Sequence, residues 1–121
     1  MNLIERWALS QDLGPVANNR KFAVNLDQVR VHLLELHAGQ VVLEARICDV
    51  PTKPNEREKI IARAMQIGLA RARTSASHLV VDSDQSAFWL QRRARPGADI
   101  PDIDQEVEHL VNDIELWRTA L

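Results

Sequence analysis

Apolar residues recur along the chain with two spacings, one helical and one extended. A helical stripe begins with Leu3, Ile4 and Trp7. It predicts a helix over residues 2–13 that ends at Gly14-Pro15, because glycine favours a helix C-terminus and proline cannot continue one. Alternation of apolar and polar residues then predicts three closely spaced strands: Phe22–Leu26, Val29–Leu36 and Gln40–Cys48.

The middle of the chain predicts a meander followed by a second helix. Ala38-Gly39 indicates a hairpin turn, and three strands in so short a segment favour antiparallel neighbours. Pro51 and Pro54 then interrupt the extended pattern. Asn55, followed three residues later by Glu58, is a capping-box pattern, so we expect a helix over residues 56–73.

The last third predicts a hairpin and a closing helix. The strands His78–Asp82 and Ala87–Gln91 precede Asp102 and Gln105, which form a second capping pattern. The apolar residues of the final helix recur at alternating steps of four and three: Ile103, Val107, Leu110, Ile114, Trp117 and Leu121. The predicted order is αβββαββα in a single α+β domain over residues 1–121, with a twisted antiparallel sheet and helices packed on one face.

Composition narrows the class of protein. The chain has 121 residues, 45% of them hydrophobic, and a formal net charge of −2. This apolar content is too high for disorder, and the charge excludes a polyanion-binding protein driven by its global charge. No apolar run is long enough to span a membrane, and the N-terminus lacks the apolar stretch of a signal peptide. A single Cys48 cannot form an internal disulfide, which suits a reducing cytoplasm.

Motifs that would carry catalysis or hold a cofactor are missing from the sequence. The four histidines have no metal-ligand spacing with Cys48, and neither a glycine-rich phosphate loop nor a nucleophile motif is present. The acidic residues around Asp102 are explained by the positive end of the helix macrodipole. We therefore expect no catalytic residue, no metal site, no cofactor and no enzymatic activity.

One basic segment leaves a nucleic-acid alternative open. Arg92, Arg93 and Arg95 follow Trp89, an aromatic residue that can stack on a base. Because the cluster is short and the chain is net negative, a solvated loop at a strand end explains it better. A regulator that binds nucleic acid or protein through the Arg92–Arg95 loop stays the alternative.

The apolar residues exceed what one helix-covered sheet face uses. Pairs such as Leu33-Leu34, Val41-Val42 and Val80-Val81 place apolar side chains on both faces of their strands. The second helix is rich in small residues, which let another backbone approach closely. Both features favour association with protein, either a second subunit or another chain.

Across almost its whole length, the sequence resembles the class I type III secretion chaperones, the Tir-chaperone or CesT-like family. The shared features are the element order, the leading helix ending in Gly14-Pro15, the meander Phe22–Ile47, the hairpin His78–Gln91 and the Trp117-Arg118 ending. The resemblance implies a homodimeric bacterial chaperone in the cytoplasm. It would bind the N-terminal region of a secreted effector in extended form, keeping the effector soluble and secretion-competent without ATP.

The resemblance also implies two sets of binding residues. The dimer would use the second helix and the hairpin strands: Ala64, Ile67, Gly68, Arg71, Leu79, Val81 and Phe88. The client would bind grooves on the first helix and the meander: Leu3, Ile4, Trp7, Phe22, Val24, Leu34, Leu36 and Ile47. Members of the family are usually markedly acidic, whereas this chain carries only −2.

Overall fold

The computed structural model describes residues 3–13, 21–26, 28–36 and 39–121. Its elements follow the predicted order, αβββαββα, which is confirmed. They are α1 (Leu3–Ser10), β1 (Lys21–Leu26), β2 (Val29–Glu35), β3 (Val41–Asp49), α2 (Pro54–Arg71), β4 (Ser77–Val81), β5 (Ala87–Arg93) and α3 (Ile100–Ala120). Gly14-Pro15 and Ala38, expected at turns, lie outside the described residues.

All five strands form one antiparallel sheet in the order β1-β2-β3-β5-β4. The meander predicted from alternation is present as β1-β2-β3. The hairpin joins it through β5, which pairs with β3 along its whole length and leaves β4 at the edge. A register shift between Arg46 and Cys48 lets the long strand β3 bend as it runs along β5.

The core lies between one sheet face and the helices α1 and α3. Because side chains alternate along a strand, the inner face carries residues such as Leu33, Leu43 and Leu90, none of which is exposed. From the helices, Trp7 and Leu110 complete the same buried cluster. Each side chain of this kind stabilises the fold by about 1.5–3 kcal/mol relative to an exposed position.

The start of α3 differs from the predicted cap. Asp99 is the N-cap, and its carboxylate accepts a hydrogen bond from the backbone N–H of Ile100 at 2.8 Å. Asp102 occupies the third helical position, where its Oδ2 accepts from the backbone N–H of Asp99 at 2.9 Å. The predicted Asp102 cap was therefore three residues late. Pro101 falls within the first turn, where the missing N–H costs no helical hydrogen bond.

The start of α2 also differs from the prediction. Its N-cap is Lys53, which makes no side-chain capping hydrogen bond, and Pro54 is the first helical residue. Proline fixes φ near the helical value, so the helix begins two residues earlier than its capping pattern suggested. Asn55 consequently lies inside the helix rather than at its cap.

Helix α2 is the least buried of the three helices. Only Ala64 is fully buried, although the helix carries a wide apolar arc. It lies beside the edge strand β4 and reaches α3, where the Cβ position of Gly68 would be 3.9 Å from the Trp117 ring. The exposed part of the arc is the starting point for the functional site.

Candidate functional site

An open groove runs between helix α2 and the edge strand β4. It has a volume of about 930 Å³ and an apolar lining. Six of the seven residues predicted for the dimer interface line it: Ala64, Gly68, Arg71, Leu79, Val81 and Phe88. The seventh, Ile67, is partly buried and packs against the core. The structure thus collects residues from three separate elements on one surface, which we call the α2/β4 groove.

Two side chains on the rim of the α2/β4 groove are far more exposed than apolar side chains usually are. Met65 is 70% exposed and Leu69 81%, and both line the groove. They lie four residues apart on one face of α2, and that spacing in the sequence is the signal that identifies them. Neither was among the residues predicted for the interface. Their exposure makes this face of α2 an apolar surface that no described residue of the chain covers.

Gly68 lies at the centre of this helix face without a packing need inside the chain. An added Cβ would meet the Trp117 ring at an ordinary contact distance of 3.9 Å. Its φ is not in the left-handed region, so its backbone conformation does not require glycine either. A glycine in a helix interior costs about 1 kcal/mol relative to alanine. Without a side chain at position 68, the groove is wider at this point than it would be with any other residue.

A polar cluster closes the base of the groove. The Asp113 carboxylate accepts from Arg71 Nη2 at 3.2 Å and from Ser77 Oγ at 2.6 Å. Arg92 Nε donates to Glu106 at 2.5 Å, and Arg92 Nη1 donates to Ser77 Oγ at 3.2 Å. These contacts join α2, β4 and β5 to helix α3, so they fix the position of the groove walls.

The same cluster corrects the interpretation of the Arg92–Arg95 loop. Arg92 belongs to strand β5 and points inward, so only 11% of its side chain is exposed. Arg95 pairs with Asp102 at 3.0 Å, and Arg93 lies on the opposite sheet face. The three arginines therefore do not form one basic surface for a nucleic acid. Strand alternation separates Arg92 from Arg93, and the acidic side chains of α3 hold Arg92.

The residues predicted for client binding are divided between two sheet faces. Four of them belong to the buried core: Ile4, Trp7, Val24 and Ile47. The indole N–H of Trp7 donates to Asp104 Oδ1 at 2.7 Å, and its ring meets the Phe22 ring edge-on at 6.4 Å. Leu3 and Phe22 are partly exposed at the border of this core. Leu34 and Leu36 lie on the other face, so the eight residues do not form one groove.

The sheet face opposite the helices is the second candidate surface, and we call it the open face. Its centre holds Trp89, whose ring centroid lies 5.6 Å from that of His32. Glu44 accepts from Gln91 Nε2 at 2.9 Å beside them. Burial lowers the pKa of His32, and the positive charge of Arg30 lowers it further. The imidazole is therefore more easily kept neutral than an exposed histidine.

The described part of the chain offers neither a metal site nor a membrane-spanning helix. The described residues contain no group of three or more histidine, cysteine or carboxylate side chains arranged to hold a metal ion. Within the same ranges, no helix is long and apolar enough to cross a membrane. Cys48 lies partly buried at the end of β3, and burial raises the pKa of its thiol, which makes it a weaker nucleophile.

The fold is that of the type III secretion chaperones. One chain of the crystal structure of the ExsC–ExsE complex aligns with a TM-score of 0.74 and 18% identity, covering 97% of this chain and 89% of that one. A chain of the ExoU–SpcU complex of the type III secretion system of Pseudomonas aeruginosa aligns at 0.72 and 17%, covering 98% and 97%. The Yersinia pestis secretion chaperone SycH, in complex with a YscM2 fragment, gives 0.68 and 16%, covering 95% and 96%.

The sequence itself identifies the family. The model of the Tir chaperone protein (CesT) family matches residues 2–118, and the chain belongs to that family. No individually curated protein matches the sequence at a significant level. The resemblance inferred from element order and apolar spacing is thus confirmed.

Proposed function

We propose that the protein is a type III secretion chaperone of the bacterial cytoplasm. It binds an N-terminal segment of a secreted effector, largely in extended form, and keeps it soluble and competent for secretion. Membership of the CesT family over residues 2–118 is the observation that carries the proposal. Binding of this kind needs distributed surface contacts and no chemical step, so the chaperone works without ATP, cofactor or catalytic residue.

The working form in this proposal is a homodimer joined through the α2/β4 groove. The support is the apolar lining of the groove and the exposure of Met65 and Leu69 on its rim. A second copy would bury these side chains and bring its own α2 close to Gly68. Two copies also double the client-binding surfaces and let one effector segment engage both, which raises its effective affinity.

The client in this proposal uses the accessible members of the predicted set. Leu3 and Phe22 lie at the border of the core, and Leu34 and Leu36 lie on the open face. The buried members support these surfaces from beneath: Ile4, Trp7, Val24 and Ile47. A substitution among the buried four would disturb the fold itself, so a test of client binding belongs at the accessible positions.

Co-expression with the proteins encoded beside its gene tests the function. We expect one of them to co-purify with the chaperone and to become insoluble when it is expressed alone. Leu34→Glu should abolish co-purification and leave the dimer intact, whereas the exposed control Lys59→Glu should change neither. A protein that is monomeric by light scattering at micromolar concentration, or a partner retained by Leu34→Glu, contradicts the corresponding part of the proposal.

A further inference from the structure

The open face carries a row of side chains with a cation at each end. Lys21 on β1 stands opposite Leu34 on β2, and Leu34 stands opposite Val42 on β3. Val42 in turn stands opposite Arg93 on β5. With strands spaced about 4.8 Å apart, the row spans about 14 Å and reads cation, leucine, valine, cation. Leu36 extends the apolar centre and is 44% exposed.

Three cations of the open face have no carboxylate partner among the described residues, whereas the fourth, Arg46, pairs with Asp49. Lys21, Arg30 and Arg93 are exposed, and none of them forms an ion pair within the described part of the chain. The two acidic side chains of this face are already engaged. Glu44 accepts from Gln91, and Asp49 pairs with Arg46. The row from Lys21 to Arg93 is therefore aliphatic in its middle and positively charged at its two ends, and the Glu44 carboxylate lies in the next row.

The net charge of −2 conceals this arrangement. Helix α3, on the other side of the sheet, carries six acidic residues and one arginine. The acidic charge of α3 thus lies on the side of the sheet opposite the cations Lys21, Arg30 and Arg93, whereas α2 carries four basic and two acidic residues. The small net charge of the chain does not reflect this uneven distribution.

We infer that the open face binds an acidic amphipathic helix of the client, a short helical stretch within an otherwise extended segment. An α-helix is about 10 Å wide, so it fits between cations about 14 Å apart. Its apolar stripe packs on Leu34 and Leu36, which lie beside the buried Val42. Its flanking carboxylates face Lys21 and Arg93 at the two ends of the row, and Arg30 lies four residues from Leu34 along β2. The inference rests on the proposed chaperone function and specifies the chemistry of the client.

A nucleic acid fits the open face less well than an acidic peptide. Stacking of a base requires an aromatic ring with a free face. The Trp89 ring leans across β3 towards His32, and its indole nitrogen is buried. The side chains between the cations are aliphatic, so they match leucine or valine of a peptide rather than a base.

Three labelled probes test the chemistry of the open face by fluorescence anisotropy with the full chain. Two are helical peptides of about 18 residues with one leucine stripe, flanked by glutamate in the first and by lysine in the second. The third is a single-stranded oligouridine. We expect the glutamate peptide to bind at least about tenfold more tightly than the lysine peptide, with an affinity that falls as salt rises.

Charge reversal locates the binding surface. In the triple variant Lys21→Glu, Arg30→Glu and Arg93→Glu, all three changed side chains are exposed. We expect this variant to lose about tenfold or more in affinity for the glutamate peptide and to gain affinity for the lysine peptide. The matched control changes three exposed cations at α2 by the same total charge, Lys53→Glu, Lys59→Glu and Arg63→Glu, and should bind as the wild type does.

The remaining outcomes overturn the inference. Equal binding of the two peptides, no binding of either, or an unchanged affinity in the triple variant each contradicts an acidic client helix on this face. Oligouridine binding that is lost in the triple variant makes the face a nucleic-acid surface instead. If the peptides fail but a client still co-purifies with the wild type, the chaperone function stands. If no client co-purifies, that function fails independently of the peptide result.

Discussion

At the scale of single residues, Arg92 shows what the sequence alone does not determine. Three arginines within four positions suggest a basic loop, yet strand alternation turns Arg92 inward to Glu106 and Asp113. Its partners lie 14 and 21 positions further along the chain, and only the packing of α3 brings them close. A charge is visible in a sequence, but its pairing depends on tertiary contacts.

Removal of Arg92 should cost far more stability than removal of its exposed neighbour. Arg92→Ala leaves Glu106 partly buried without its cation, and we expect a loss of about 2–3 kcal/mol in the free energy of unfolding. Arg95→Ala removes an ion pair whose arginine side chain is 71% exposed, so its effect should stay below about 1 kcal/mol. Urea denaturation of both variants measures the difference, and equal losses would contradict the structural role of Arg92.

His32 should make the stability of the protein depend on pH. Its pKa in the folded state lies below the ordinary value of 6.5, with burial as the main cause. As the pH falls below 6.5, the unfolded chain takes up a proton more readily than the folded one. The free energy of unfolding therefore decreases between neutral pH and pH 5, and the decrease ends once the folded form is protonated too.

Two histidine variants isolate this contribution. In His32→Gln, the fall in the free energy of unfolding from pH 7.5 to pH 5 should be smaller than in the wild type. His78→Gln, at an exposed position of the edge strand β4, keeps His32 and should keep the wild-type decrease. Urea denaturation across this pH range measures both. A wild-type decrease in His32→Gln would show that another group causes it.

At the scale of elements, alternation and helical periodicity predicted the type and order of all eight helices and strands. These patterns are local, since each strand or helix faces the core with its own period. The helix starts were less predictable, because Asn55 and Asp102 have the sequence pattern of N-caps, whereas the actual N-caps are Lys53 and Asp99. The pairing of β3 with β5 could not be predicted either, since it joins segments about 40 residues apart.

The two helix starts give a matched pair of substitutions. Asp99→Ala removes the side chain that caps α3, and we expect a loss of about 1 kcal/mol in the free energy of unfolding. Asn55→Ala replaces a residue inside α2 that caps nothing, so stability should change by less than about 0.5 kcal/mol. Thermal denaturation decides between them. A larger loss of stability in Asn55→Ala would show that Asn55 caps α2, as the sequence pattern predicted.

At the scale of the whole molecule, most of the exposed large apolar side chains lie on two surfaces, while Leu9 on α1 and Leu116 on α3 lie elsewhere. The α2/β4 groove exposes Met65 and Leu69, and the open face exposes Leu36. Six of the seven residues expected at the dimer interface meet in that groove, because they lie on the helix and hairpin that pack together. The eight expected client residues do not meet, because alternation sends Val24 inward and Leu34 outward. To group the residues of the first set, it was enough to know which helix or strand each belongs to. For the second set, it was also necessary to know towards which sheet face each side chain points.

Substitution of Gly68 should change the stability of the single chain and the association of two chains in opposite directions. Gly68→Ala should raise the intrinsic helix stability by up to about 1 kcal/mol, since its Cβ meets only the Trp117 ring at 3.9 Å. The same methyl group narrows the groove, so the dimer should dissociate at a higher protein concentration than in the wild type. Gly68→Leu should prevent dimerisation, whereas Ala62→Leu, which adds one carbon fewer at an exposed position of α2 outside the groove, should not.

Sedimentation velocity over a concentration series measures these dimer affinities, and circular dichroism shows that each variant is folded. The opposite signs of the two effects of Gly68→Ala are the decisive feature. If Gly68 were needed for the fold, Gly68→Ala would be less stable than the wild type at every protein concentration. If Gly68 is needed for contact with the partner, Gly68→Ala makes the dilute single chain more stable and the dimer weaker. Unchanged dimerisation in Gly68→Leu would remove the α2/β4 groove as the interface, because no second backbone could approach Gly68 past a leucine side chain.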